Sequence, residues 1–508
     1  MILVYNRWIF IVVFFWGLLH SLSSMAQNSI DTNIVQQQYV IVNSLEFNPL
    51  KNKAQVSKNR EIILGKKISI EEYFASCNYI IEWYENNGYP FANIQPKDIE
   101  YKDNTFEMNL DIESNNHYKF DSIIVKGDVK ISDSFLRNYF QIHKKKSYSE
   151  KLISNIERQA NQLIFASMST PAEVIFTIDE CHTYLYLNKR KTHSFDGIIG
   201  FVPADENSKS IKLTGDVKLK LNNIFARGES LAFEWRSYES SSQDLFINTS
   251  LPYIFNTPFG STVNFKLDKK DSSFIKQDFQ AGINYYFSAL NHISLFYRNE
   301  SSSAISANNQ YDYSNFKANS YGLQILFDKL NEPILPTNGY KIISSVAYGK
   351  MKRIKSENKE NMDKYNFNFD IPFYRRIYKN FIFHSQLSGS ANFPTKLHEN
   401  EMERFGGFGS LRGFDQNVFS ANLFAILNTE FRFMLERYSY LSIFWNGAYY
   451  EKNAINSYSS DFPWGLGAGI AFNTPAGIFS LQYAIGKEQN NPFDFRSSKI
   501  HFGITGMF

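Results

Sequence analysis

The sequence predicts a transmembrane β-barrel, 16-stranded and antiparallel, preceded by small α+β modules. Three observations predict it. From about Thr192 to the C-terminus, polar and apolar residues alternate in segments of about ten, the dyad repeat of strands with one face to lipid and one to a polar interior. Past residue 26, no stretch approaches the roughly 18 apolar residues that a spanning helix needs. Aromatics make up 17% of the chain, yet its mean hydropathy is −0.33. That combination fits Phe and Tyr arranged as interfacial girdles around a wall with a polar inner face.

Residues 1–26 read as a secretory signal. Arg7 supplies the positive charge, Trp8–Leu19 is an uncharged apolar run too short to span, and Ser24-Met25-Ala26 has small residues at the cleavage positions. The mature chain is expected to start at Gln27, an uncleaved anchor being the alternative. No cysteine lies near the cleavage site to carry a lipid. The net charge of +3 gives no reason to expect a nucleic-acid partner. The chain has two cysteines, Cys77 and Cys181. Export permits a disulfide, but their surroundings read as a helix and a strand of different modules, so two buried structural thiols are expected.

Residues 27–115 read as a first module whose start is unclear. Ile70–Asn87 is an amphipathic helix with Tyr73, Phe74, Cys77, Ile80, Ile81 and Tyr84 on its apolar positions, ended by Asn87-Gly88 and Pro90. Alternating runs follow near Ile94–Tyr101 and Phe106–Ile112. Residues 116–190 read as a second module. It has a strand at Tyr118–Val125, helices near Ser132–Phe140 and Ser149–Phe165, and strands near Glu173–Ile178 and Thr183–Leu187.

Residues 192–508 read as the barrel. Ile211, Leu213, Val217, Leu219 and Leu221 oppose Lys212, Thr214, Asp216, Lys218 and Lys220. Tyr365, Phe367, Phe369 and Ile371 oppose Asn366, Asn368 and Asp370. At about 20 residues per strand with its turn, the region holds roughly 16 strands. The first is expected at Asp196–Val202 and the last at Ser498–Phe508, which ends on the aromatic Phe508. These two must pair, because no sheet edge can stay open in lipid. Gly197, Gly200, Gly503 and Gly506 fall beside that seam and weaken its packing.

One stretch breaks the alternation. Phe405-Gly-Gly-Phe-Gly-Ser-Leu-Arg-Gly-Phe-Asp415 sets Gly406, Gly407, Gly409 and Gly413 around a single long cation, Arg412. The glycines allow a tight fold against a surface, and the guanidinium fork suits a fixed, bidentate carboxylate contact. The reading is a loop, 394–420, folded back into the protein and pinned by Arg412.

This motif resembles the signature arginine-glycine-aromatic loop of the outer-membrane assembly family typified by BamA and TamA (the bacterial surface antigen superfamily), which has two-partner-secretion relatives. Leu411-Arg412-Gly413-Phe414 carries the match, with Gly406-Gly407 upstream. Asn222–Glu229 resembles the family's early barrel turn. Asp328 with Pro336-Thr337-Asn338-Gly339 resembles its mid-barrel segment, and Gly465-Leu466-Gly467 with Thr474-Pro475-Ala476-Gly477 its late hairpin. Asn87–Ala92 resembles the turn after a POTRA helix. The resemblance implies POTRA modules in the periplasm and a 16-stranded barrel in the bacterial outer membrane. It also implies an infolded loop whose arginine meets acidic residues on the wall. By alternation Glu430 and Arg432 face the lumen, so Glu430 is the expected partner of Arg412, with Arg432 as a competitor. Where the family often has an aspartate, this chain has Asn446, also facing inward.

No catalytic constellation stands out. Gly409–Gly413 has the wrong spacing for a nucleophile elbow, Gly407-Phe408-Gly409 lacks the third dinucleotide glycine, and no His pair sits at metal spacing. A non-enzyme without a cofactor is expected. The resemblance implies an assembly and insertion factor. Its expected partners are unfolded outer-membrane protein clients and the lipid bilayer, with periplasmic chaperones or accessory lipoproteins as further candidates. A two-partner-type secretion pore is the alternative, and a passive channel a third.

Overall fold

The structure, a computed structural model, describes residues 39–48, 64–203, 211–237, 242–270, 273–305, 313–354, 359–394, 396–474, 477–489 and 495–505. The signal segment, Gly506 and Phe508 lie outside the described residues. Contacts divide the chain into two units: one from the N-terminus to Asn116 without residues 86–90, and one of residues 86–90 with His117–Phe508.

The first unit holds strands β1 (Tyr39–Asn48) and β2 (Lys67–Ser69), helix α1 (Ile70–Glu85), and strands β3 (Asn93–Lys102) and β4 (Thr105–Glu113). The sheet order is β2-β1-β4-β3, with β1 parallel to β4. Ser69 and Glu72 start α1 with reciprocal side chain to backbone bonds of 3.2 and 2.9 Å. The sequence pattern does not disclose β1, and its bulge between Val42 and Ser44 explains why. Val40 and Val42 are buried before the bulge and Phe47 after it, so the alternation changes phase midway.

The second unit begins with a module of β5 (Lys119–Lys126), α2 (Asp133–Phe140), α3 (Glu150–Gln162), β6 (Ala166–Phe176) and β7 (Glu180–Lys189). Its sheet order is β5-β7-β6, with β5 parallel to β7. Both helices cover one core built on Phe120, Phe140, Ile156, Leu163 and Leu185. Residues 86–90 belong to this unit: Tyr118 N–H donates to the Gly88 carbonyl at 2.7 Å. Both cysteines are free. Cys181 is buried, and burial pushes its thiol up to about 12, whereas Cys77 is only half-buried.

The rest of the unit is a closed antiparallel barrel. Its first strands are β8 (Ser194–Pro203), β9 (Ile211–Asn222), β10 (Ser230–Ser237), β11 (Gln243–Leu251) and β12 (Phe259–Lys270). They continue as β13 (Phe274–Ser288), β14 (Asn291–Ala304), β15 (Asn315–Asp328), β16 (Gly339–Ile354), β17 (Lys359–Tyr378) and β18 (Phe381–Phe393). A hairpin inside the lumen follows, β19 (Glu403–Phe405) with β20 (Phe419–Ala421). The wall resumes with β21 (Leu423–Glu436) and β22 (Ser439–Asn453). It ends with β23 (Tyr458–Asp461), β24 (Trp464–Thr474), β25 (Gly477–Lys487) and β26 (Lys499–Thr505). Both β23 and β24 pair with β22, so they are two halves of one wall strand. Among the described residues the wall therefore has sixteen strands, and the ring closes with β26 beside β8.

Register fixes which side chains face inward. Glu430 lies opposite His384 on one side and Phe444 on the other, and Asn428 opposite Asn446. All five are buried, while the intervening Phe431 and Phe433 are exposed on the outer wall. The second module seats on one end of the barrel. Phe135 of α2 packs edge-on against Tyr253 with ring centroids 5.5 Å apart, and Gln162 Nε2 donates to the Leu330 carbonyl at 2.8 Å.

Candidate functional site: the infolded loop and its anchors

The chain between β18 and β21 turns back into the lumen as the sequence pattern indicates. Phe405 stacks on Phe419 and Phe424 with centroids 5.1 and 4.6 Å away. With Leu411, Ala421, Ile426 and Ala448 they form a small apolar core between loop and wall. That core places the tip, residues 406–418, against β22, β24 and β25.

At the tip, Arg412 is buried. Its Nη1 donates to Glu430 Oε2 at 2.9 Å and its Nε to Asn446 Oδ1 at 3.4 Å. Asn446, fully buried, returns a bond from Nδ2 to the Arg412 carbonyl at 3.0 Å. The neutral residue thus fixes both the side chain and the backbone of Arg412. The expected bidentate contact to Glu430 is absent because Arg432 Nε donates to the other oxygen, Oε1, at 2.8 Å. The two arginines divide the carboxylate between them. Arg432 also approaches His384 Nδ1 at 3.3 Å, and His384 stacks on Tyr374 at 4.3 Å. Burial works against the Arg412 charge and the Glu430 carboxylate works for it. The guanidinium remains ionised because its ordinary value lies so far above neutrality.

The glycines act through close approach. Gly413 has φ +96°, and a Cβ there would lie 2.7 Å from the Gly486 nitrogen of β25. Gly486 in turn would meet the Gly413 carbonyl at 2.7 Å and the Phe414 ring. The tip is therefore laid directly on a glycine-lined strip of wall. Gly406 and Gly407 bracket the preceding turn, where the Ser410 hydroxyl accepts from Gly406 N–H at 2.8 Å and Gly407 N–H donates to the Leu411 carbonyl at 3.0 Å. Gly409 faces open space.

Two features escape the sequence reading. Phe444 lies under the Arg412 guanidinium, 3.6 Å from its carbon to the ring centroid, a cation–π contact in a site that excludes water. The loop also has a second anchor, at its base. Glu401 accepts from Arg353 Nε at 2.7 Å and Nη2 at 2.6 Å, from Ser314 Oγ at 2.7 Å and from His398 N–H at 2.9 Å. Asn400 Nδ2 donates to Ser302 Oγ at 2.8 Å. The fork-to-carboxylate pair expected of Arg412 is found here instead. The available signal was an acid pair, Glu399 and Glu401, beside an inward-facing arginine of β16.

The base is thus tied to β14 and β16 and the tip to β21 and β22, so the loop crosses the lumen as a strut. At the ring closure, Gly197 and Gly200 lie on β8 and Gly503 on β26. The tip reaches the last strand too: Asp415 pairs with Lys499 at 2.7 Å, and the Phe408 ring lies beside His501.

Residues 223–508 match the Omp85 superfamily domain. No curated protein matches the chain. The fold resembles CdiB from Acinetobacter baumannii, at 15% identity over 97% of each chain with a TM-score of 0.57. It also resembles CdiB from Escherichia coli, at 14% identity over 95% of this chain and 93% of that one, TM-score 0.57. BamA from Haemophilus ducreyi lacking POTRA domains 1–3 aligns over 94% of this chain and all of that one, at 15% identity and TM-score 0.45. With more than half its length in that domain, the chain belongs to the Omp85 superfamily.

Proposed function

We propose that this protein is an outer-membrane assembly factor, with its two modules in the periplasm, that inserts β-barrel clients at the junction of its first and last strands. The observation that carries this reading is the doubly anchored loop. A polypeptide crossing the lumen would have to break buried ion pairs at Glu401 or Glu430, where removing one partner costs about 3–5 kcal/mol. A client entering beside β8 and β26 breaks neither pair. At such a junction, hydrogen bonds are exchanged strand for strand, so no backbone polar group is left bare in lipid. The modules would receive unfolded clients by strand addition to sheet edges, with chaperones or accessory lipoproteins delivering them. No covalent chemistry is required, and no catalytic group or cofactor is proposed.

The test is client folding into liposomes. A urea-denatured outer-membrane barrel is diluted into vesicles holding the protein, the Arg412→Ala variant, or nothing. Faster folding with the protein, reduced in the variant, is the expected result. Crosslinks from client to β8 or β26 are expected, rather than to lumen residues such as Asn428. Folding no faster than in empty vesicles, together with lumen crosslinks to one exported protein, would replace this reading with two-partner-type secretion.

A further inference from the structure

Two neighbouring turns at the module end of the barrel leave large apolar side chains bare. Residues 223–229 join β9 to β10, and residues 252–258 join β11 to β12. One side of each turn is committed to the second module. Ser132 N–H donates to the Ala226 carbonyl at 2.7 Å, Asn223 Nδ2 donates to the Lys130 carbonyl at 2.9 Å, and a Cβ on Gly228 would lie 2.0 Å from the Phe135 ring. In the second turn, Asn256 Oδ1 accepts from Ser134 Oγ and Asn138 Nδ2, both at 3.0 Å, and Tyr253 is buried.

Away from those contacts, Phe225 is 76% exposed and Phe255 95% exposed. Neither is held there by chance of a loose loop. The Glu229 carboxylate accepts from the Phe225 and Arg227 N–H groups, which fixes the first turn. Phe255 sits at φ +54°, a conformation unfavourable for a bulky residue, while its ring packs against almost nothing in the chain. Phe225, Arg227 and Glu229 line a shallow cavity of about 450 Å³ together with Leu251. By alternation Leu251 belongs to the outer, lipid-facing side of β11, since Asp244 and Asn248 face inward opposite Arg236 and Ala232. The cavity therefore opens toward the bilayer. The apolar outer wall continues beside it at Phe259 and Tyr285, whose rings are 5.4 Å apart.

We propose that these turns form a phospholipid-binding foot in the periplasmic leaflet. Phe225, Phe255 and Leu251 take the upper acyl chain and glycerol region, and the Arg227 guanidinium takes the phosphate. An aromatic body beside a cation is the arrangement that suits the membrane–water boundary. The occupant is lipid because the cavity is continuous with the lipid-facing wall, and the module is engaged by other residues of the same turns, Ala226, Asn223 and Asn256. A foot there would fix the height of β9 to β12 in the bilayer, close to the ring closure.

The test uses the full chain in phosphatidylcholine vesicles, with no client, so its outcome is independent of the insertion reading. Phe225→Cys, Phe255→Cys and Ile178→Cys are each made in a Cys77→Ala/Cys181→Ala background and labelled with a nitrobenzoxadiazole fluorophore. Ile178 is 89% exposed on the module. The labels at 225 and 255 are expected to emit at shorter wavelength than the label at 178. Lipid carrying a nitroxide near the glycerol should quench them and not the label at 178. Equal wavelengths and no selective quenching overturn the proposal, as does a shift to shorter wavelength at 225 and 255 without quenching by lipid. If the cysteine-free background does not fold, Phe225→Trp and Phe255→Trp in the natural chain, with brominated lipid, read the same contact as quenching above that of the parent. Arg227→Glu is expected to reduce phospholipid retained in native mass spectra; unchanged retention removes the phosphate contact.

Discussion

Arg412 and Glu430 share one hydrogen bond, Nη1 to Oε2 at 2.9 Å, because Glu430 gives its second oxygen to Arg432 at 2.8 Å. One carboxylate thus balances two buried guanidinium groups, and its loss has a different consequence from the loss of either arginine. Glu430→Ala leaves two like charges facing each other in a water-poor site. Arg412→Ala leaves Glu430 still paired with Arg432. Glu430→Ala is expected to cost the roughly 3–5 kcal/mol seen when a buried charge loses its partner, and Arg412→Ala the smaller loss of about 1–3 kcal/mol that goes with a charge-assisted hydrogen bond. Thermal unfolding of the purified barrel, followed by its mobility shift on gels, ranks the two; equal melting points would show that Arg432 does not share the carboxylate.

Phe444 adds a term that charge alone does not supply. Its ring centroid lies 3.6 Å from the Arg412 guanidinium carbon. Phe444→Leu keeps most of the apolar volume and removes the π face, so a loss of about 1–2 kcal/mol relative to the parent is expected. The same melting measurement separates variant from parent, and an Arg412→Ala background should abolish the difference.

The close approach at Gly413 predicts a contrast within one motif. Gly413→Ala and Gly486→Ala each place a methyl against backbone 2.7 Å away, whereas Gly409→Ala meets nothing within 4 Å. The first two are expected to lift the tip from the wall and cost about 1–3 kcal/mol, while the third is silent. Limited proteolysis between residues 406 and 418 reads the lifting directly.

At the loop base, burial would raise the Glu401 carboxyl, but the bonds from Arg353 and Ser314 outweigh it and hold the group below its ordinary value of 4.5. A depressed carboxyl stabilises the folded loop above that ordinary value and loses its contribution as pH falls through the folded one. Hydrogen exchange of residues 397–405 is therefore expected to be flat from neutral pH to about 4.5 and to rise below it, after correction for the intrinsic rate. Glu401→Gln, which has no proton to take up at that position, should show a smaller rise.

Much of this arrangement is legible in the chain itself. The side-chain period of a strand is two, so alternation alone assigns Glu430, Arg432 and Asn446 to the lumen and Phe431 and Phe433 to lipid. The departure from alternation at 405–415 marks the infolded loop, and its glycines announce close contact before any partner is known. Where a bulge shifts the phase, as at Val42 and Ser44 in β1, the same rule fails and the strand goes unread.

What alternation gives is a face, never a height along the wall or a neighbour across the lumen. Arg353 and Glu401 are 48 residues apart, and Arg412 and Phe444 are separated by β20, β21 and the turn after it. Their meeting depends on the register and closure of the ring, which set how far each strand is displaced from the next. The same closure decides that Glu430 serves two arginines, that the bidentate pair sits at the base of the loop rather than its tip, and that Phe225 stays exposed while Gly228 is locked under Phe135. Alternation limits which residues can face one another, because it assigns each to a side of the wall; which of them touch follows from the closed ring with the second module seated on its end.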